Sequence, residues 1–294
     1  MAKILITGTS GLLGNKITLE AKRRHIVYPT HATHPSSSRS LKMDITNENE
    51  VKQVFYKIKP EVVIHTAAET NVDKCSKDKK HAFAVNSEGT KNLAKVCNQI
   101  DARIVYISTD YVFDGEKGLY KEEDNTNPLN FYGFTKLMGE KHILEICKRY
   151  LILRTSVLYG FYHEKPNFAM WVITALKDKK PFHVVEDHYN SPTLASNLAE
   201  VTLEMVDKEL DGLYHAAGSE RISRYSFALR IAETFEFNTD LIKPVKMHEL
   251  KAWVAKRPKD SSLCVNKVKK QIDTTLLHVS QGLKKMKMKL ANLK

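Results

Sequence analysis

Short apolar runs alternate with amphipathic stretches along the first half of the chain. Lys3-Ile4-Leu5-Ile6-Thr7 has the continuous apolar character of a strand buried on both faces, and helical spacing follows over 15–24. The same rhythm predicts strands over 25–28, 41–45, 61–65, 102–107 and 150–155. Helices fall between them over 47–59, closed by Pro60, and over 79–99. Phe134, Leu137, Met138, Ile143, Ile146 and Cys147 recur at roughly helical intervals before the sixth strand. Strands and helices in this order imply an α/β fold with a Rossmann-type doubly wound parallel sheet. The rhythm breaks after Ser156. A polar, aromatic loop over 160–166 precedes a helix over 167–176, a short strand over 182–185 and a helix over 194–206. We therefore expect a cofactor-binding domain over 1–160 and a smaller C-terminal α/β substrate domain over 161–294. A strand near 212–216 should return to the main sheet.

The first strand runs directly into Gly8-Thr9-Ser10-Gly11-Leu12-Leu13-Gly14. Glycines at such a turn let backbone approach a pyrophosphate, and the helix that follows offers N–H groups and a positive dipole end. Dinucleotide binding is the expected use of the turn. A carboxylate ending the second strand would accept the adenosine ribose hydroxyl of NAD. Residues 29–39 hold no acid, only a hydroxyl-rich loop ending in Arg39. That composition suits a 2′-phosphate, so NADP is expected over NAD. Asp44 is placed to meet an adenine amino group, and Thr66-Ala67-Ala68 are small enough for backbone to lie against a cofactor. Gly8, Ala67, Thr109 and Thr155 all fall at carboxyl ends of expected strands, where ligands of such sheets gather.

Tyr132 and Lys136 lie four residues apart, which stacks both on one face of a helix. A free tyrosine has a pKa near ~10 and is a poor acid at neutral pH. A neighbouring ammonium favours the phenolate, so the pair is a candidate for exchanging a proton with a substrate oxygen.

Composition narrows the partners. The 294 residues, 42% hydrophobic and 27% charged, suit a globular protein. No apolar run approaches the ~20 residues of a membrane span, and the N-terminal run is too short for a signal sequence. The net charge of +12 is largely scattered lysine, without an Arg-rich stripe interleaved with aromatics, so no nucleic-acid partner is expected. Cys75, Cys97, Cys147 and Cys264 are dispersed, which argues for reduced thiols in the cytoplasm and against a zinc site. No metal is expected, and homodimerisation is left open.

Together the motifs resemble an extended short-chain dehydrogenase/reductase, more narrowly the dTDP-4-dehydrorhamnose reductase group. The resemblance rests on Gly8-x-x-Gly11-x-x-Gly14, Asp44-Ile45, His65-Thr66-Ala67-Ala68 with Val72-Asp73, and Val85-Asn86. It extends through Ser108-Thr109-Asp110-Tyr111-Val112-Phe113, Tyr132-Gly133-x-Thr135-Lys136, Asn167-Phe168 and Arg257-Pro258. It implies that Thr109 and Tyr132 face a keto oxygen and that Lys136 holds the nicotinamide ribose while lowering the tyrosine's pKa. The substrate implied is a nucleotide-activated 4-keto-6-deoxy sugar. Ser10, Gly11, Leu12, Ile45, Asn86 and Ser108 join the cofactor side, and Val72, Tyr111 and Asn167 the substrate side. Arg257 is the candidate for the diphosphate, because a guanidinium binds phosphate oxygens in a fork. Tyr111 stands where related dehydratases carry a second carboxylate, which favours reduction. Two departures fall on the substrate side: Val157-Leu158 replaces the group's usual Trp, and Asp187-His188-Tyr189-Asn190 replaces Asp-Gln. His188 is read as a polar loop histidine. Two alternatives remain: the non-catalytic, NADP-binding regulatory subunit of methionine adenosyltransferase, which carries the same likeness, and a nucleotide-sugar epimerase.

Overall fold

The computed structural model describes residues 1–162, 167–250 and 253–291. Six strands build the main sheet in chain order: β1 Lys3–Thr7, β2 Ile26–His31, β3 Leu41–Lys42, β4 Val62–His65, β5 Arg103–Thr109 and β6 Tyr150–Thr155. Their spatial order is β3-β2-β1-β4-β5-β6, and Gly212–His215 adds a seventh strand beside β6. Every pairing in this sheet is parallel. The carboxyl ends of the strands therefore share one edge, and the order reverses between β1 and β4, where a crevice opens.

Side chains alternate across the sheet with the period of two that a pleated strand imposes. Ile4 and Ile6 pack with Leu13, Ile17, Leu198 and Val201 on one face. Leu5, Val63, Ile104 and Ile152 meet Phe55, Leu93 and Val96 on the other. A third apolar cluster joins helices Phe168–Lys177, Arg224–Thr234 and Val279–Ala291 through Val172, Ile173, Phe227, Ile231 and Leu283. Three two-stranded pairs border it: Leu158–Tyr159 with Thr193–Leu194, Tyr189–Asn190 with Ile222–Ser223, and Phe182–Val185 with Ile242–Val245.

Several boundaries differ from the sequence expectation. The first helix runs Leu12–Ala21, because Gly11 takes extended backbone angles (φ −92°, ψ 164°) and begins it three residues early. The second strand continues through Pro29 to His31, and β3 is two residues long. The long helix expected over 79–99 is interrupted. A π-helical turn, Ala84–Glu88, separates Lys79–Phe83 from Gly89–Gln99. Such bulges concentrate at functional sites, and this one carries Asn86. The loop expected over 160–166 lies outside the described residues from 163 onward.

Candidate active site

The glycine turn is shaped by contacts that leave no room for side chains. Gly8 has φ +69°, and a Cβ there would stand 2.7 Å from the Ala67 backbone. The Gly11 N–H donates to the Gly8 carbonyl (2.9 Å), closing the turn. Helix Leu12–Ala21 begins with no side-chain cap, so its first-turn N–H groups remain open toward the crevice. A bare helix start behind a glycine cradle fits a dinucleotide pyrophosphate. Ala67 N–H donates to Thr7 Oγ1 (3.2 Å), and Thr66 Oγ1 donates to the Thr7 carbonyl (2.5 Å), so β1 and β4 are tied at the crevice floor. His65 beneath it is bonded to Thr7 (2.8 Å) and Thr90 (3.0 Å), and burial holds its pKa well below the usual range.

The other cofactor-side residues divide into open and committed groups. Arg39 is exposed on the loop after β2, and that loop is joined to the glycine turn by a Thr9–Ser36 hydroxyl contact of 2.6 Å. Asp44 Oδ1 accepts from Thr46 N–H (2.9 Å) and Thr46 Oγ1 (2.8 Å), while Ile45 is buried. Asn86 is 1% exposed. Its amide accepts from the Glu69 N–H (2.8 Å) and donates to the Glu69 carbonyl (3.0 Å) and Thr135 (3.0 Å). Asn86 thus clamps the β4 loop onto the Tyr132 helix. Ser108 donates to Glu140 (2.5 Å), which forms a bidentate buried pair with Arg154 (3.0 and 2.7 Å). The Ser108 hydroxyl is thus held by this buried pair.

Tyr132 and Lys136 lie on helix Phe131–Ile146, capped by Asn130, whose Oδ1 accepts from the Gly133 N–H (2.9 Å). Gly133 lets this helix approach Tyr111, whose carbonyl occupies the space a Cβ would need. Thr109, the last residue of β5, donates to Asp110 (3.1 Å) and accepts from the Tyr111 N–H (3.2 Å). Tyr132 is half-buried. Its surroundings are dry enough that burial pushes the phenol's pKa up, while contact with the Thr109 hydroxyl pulls it the other way. Lys136 points elsewhere: Nζ donates to the Ile107 carbonyl (2.8 Å) and sits 4.0 Å over the Tyr106 ring. Burial brings its pKa down to about 7, and Glu140 opposes that shift. The expected ammonium–phenol coupling is therefore not the dominant influence on Tyr132 here; desolvation is.

The side of the crevice expected to face the substrate is built from buried polar groups. Asp110 accepts from Ser156 (2.8 Å) and Ser261 (2.5 Å) besides Thr109, yet burial still raises its pKa. Tyr111 is buried, its pKa raised to about 12 by burial, with the Arg224 guanidinium against it opposing the shift. Val72 opens the short helix Val72–Lys77. Asn167 caps helix Phe168–Lys177, and its Nδ2 donates to the Gly160 carbonyl (2.7 Å). Arg257 is occupied by a forked ion pair to Asp73 (3.0 and 2.8 Å). His188, read as a polar loop residue, is 1% exposed and packs between Tyr111 and Trp253. Its Nδ1 and Asn190 Oδ1 are buried without a partner among the described residues. Arg224 and Ser261 are not signalled by any motif in the sequence. An Arg following the Ile222–Ser223 strand and a serine at 261 carry no local signal.

Fold and site together define an extended short-chain dehydrogenase/reductase, an NAD(P)-dependent oxidoreductase by class. Within that class the chain belongs to the RmlD substrate binding domain family, whose model matches residues 2–292. It is 32% identical over 283 residues to dTDP-4-dehydrorhamnose reductase of Aggregatibacter actinomycetemcomitans, covering 91% of this chain and 92% of that protein. It is also 32% identical over 271 residues to methionine adenosyltransferase 2 subunit beta of Bos taurus, covering 89% and 80%. The crystal structure of dTDP-4-dehydrorhamnose reductase from Bacillus anthracis in complex with NADP matches with a TM-score of 0.90 at 31% identity, covering 98% and 99% of the two chains.

Proposed function

We propose that the protein reduces a nucleotide-activated 4-keto-6-deoxy sugar with NADPH, hydride arriving at C4 and Tyr132 donating the proton. The observation that carries this reading is the convergence of the Tyr132 phenol and the Thr109 hydroxyl at the carboxyl end of β5, beside the glycine-lined crevice. The reduced nicotinamide supplies the hydride. Gly8, Ser10, Gly11, Leu12 and Ala67 would hold the dinucleotide, with Arg39 toward its 2′-phosphate and Lys136 toward its ribose. Hydride addition builds negative charge on the former carbonyl oxygen, so hydroxyl donors aimed there stabilise the transition state. A phenol kept protonated by burial is suited to give its proton rather than to begin as phenolate. Asp110 offers one carboxyl beside Thr109 and Tyr111 supplies none, which disfavours water elimination. The dispersed thiols and the cofactor suit a cytoplasmic setting, and among the described residues no helix is long and apolar enough to cross a membrane.

A test follows absorbance of NADPH with dTDP-4-keto-6-deoxyhexose. Wild type should consume NADPH, and Tyr132→Phe should lower kcat by ~10²–10⁴-fold while NADPH still binds. If wild type binds cofactor but does not consume it with this sugar, the reductase reading fails. A second reading, a non-catalytic NADP-binding subunit, is supported by the equal identity to methionine adenosyltransferase 2 subunit beta and by the filled Arg257 fork. It predicts cofactor binding without turnover.

A further inference from the structure

Residues 253–262 run along the substrate side of the crevice, fastened by carboxylates from the other half of the molecule. Asp73 Oδ1 accepts the N–H groups of Val254 (3.0 Å) and Ala255 (2.9 Å), and both its oxygens take the Arg257 fork. Asn130, the cap of the Tyr132 helix, donates through Nδ2 to the Lys256 carbonyl (3.0 Å). At the far end Ser261 is bonded to Asp110. The segment presents Trp253, whose ring stands edge-on to His188 at 5.7 Å between centroids. His188 lies 6.5 Å from Tyr111, and Tyr111 stands edge-on to Tyr132 at 6.1 Å. Four rings thus form a row from the segment to the proton donor.

We propose that Asp73 is a positioning residue: by fastening 254–257 it seats Trp253 against His188 and sets the wall on which the nucleotide sugar lies as it meets Tyr132. The identity of that ligand rests on the reductase reading. Four charge-assisted hydrogen bonds converge on this one carboxylate, and such bonds are about twice as strong as neutral ones. Arg257 is 9% exposed at its side chain and stacks 5.0 Å from the Trp253 ring. Without Asp73 it is a nearly buried, unpaired guanidinium, a costly state that the segment relieves by moving. Arg257 accordingly acts as the rivet of the segment, its forked edge turned to Asp73.

The test uses the full chain loaded with NADP⁺ in a Trp171→Phe background, which leaves Trp253 as the sole tryptophan. Adding dTDP should change Trp253 emission. Asp73→Asn should shift that emission in the free protein and raise both the dTDP Kd and the KM for the sugar nucleotide about tenfold. NADPH affinity and kcat should hold, which a general loss of structure would not allow. Arg257→Lys keeps the charge without the fork and should fall between the two, so the idea stays testable if Asp73→Asn folds poorly. Unchanged dTDP binding in both variants, or Trp253 emission indifferent to dTDP in the parent, overturns the proposal. If no sugar is reduced but dTDP still moves Trp253 emission in an Asp73-dependent way, the positioning role stands and only the reaction is lost.

Discussion

The cofactor half and the substrate half of the crevice are made by different means. Around Gly8 and Ala67 the working surface is backbone: a closed turn, a bare helix start and the ends of two parallel strands. Around Asp110 and Tyr111 it is side chain, a buried set of carboxylate, hydroxyl and guanidinium groups drawn from Ser156, Ser261 and Arg224. Backbone surfaces recognise what all dinucleotides share, while a side-chain network can be re-cut residue by residue to suit one sugar.

The sharpest way to break this comparison is to damage each half alone. Gly8→Ala places a Cβ 2.7 Å from the Ala67 backbone at a φ that costs an L-residue about 1–2 kcal/mol before any clash. Neither neighbour is a flexible side-chain tip, so the turn itself must shift. NADPH affinity should fall by at least about tenfold, with dTDP binding much less affected, as isothermal titration of each ligand would show. Equal losses for both would mean that the halves are not separate. Ser261→Ala should do the reverse with a smaller effect. It deletes the 2.5 Å bond to Asp110 and the acceptor for Asn190 Nδ2 (2.9 Å). A typical hydrogen bond contributes about 0.5–1.5 kcal/mol net. The sugar-nucleotide KM should rise several-fold while the NADPH Kd stays put; a shift in NADPH binding instead would sink the division.

The same division decides what could be read from the sequence. The sheet, the glycine turn and the Tyr132–Lys136 helix are local: each is signalled within about ten residues by periodicity or by glycine. The returning strand expected near 212–216 is also present, as Gly212–His215. The substrate network was not, because its members meet across the chain. Asp73 and Arg257 are 184 positions apart and Asp110 and Ser261 are 151 apart. Arg257 was expected to fork onto a diphosphate, and no spacing rule could say that in the folded chain its guanidinium forks onto Asp73. His188 looked like a loop residue because its neighbours are polar, and only the fold shows it sealed between aromatic rings. Lys136 lies on the expected helix, four residues after Tyr132. Its reach to Ile107 depends on how β5 passes beneath that helix, which periodicity does not encode.

Lys136 gives the smallest effect and the most direct test of how dry the cofactor half is. Burial lowers its pKa from the ordinary 10.5 to about 7. Between those values the unfolded chain holds a proton that the folded chain does not, so this group makes stability rise with pH across that window. Below about pH 7 the folded state carries the whole cost of a buried ammonium, and above about pH 10.5 it carries none. Lys136→Met removes the charge at similar length. It also removes the bond to the Ile107 carbonyl, a loss that is the same at every pH. The Tm difference, variant minus wild type, should therefore be most favourable to the variant near pH 6 and decline steadily toward about pH 10. Each kcal/mol of that change corresponds to about 2–4 °C or slightly less in a chain of this size. Scanning calorimetry of the cofactor-free protein at several pH values reads it directly. A Tm difference that does not vary with pH would show the ammonium to be solvated and the floor of the crevice wet.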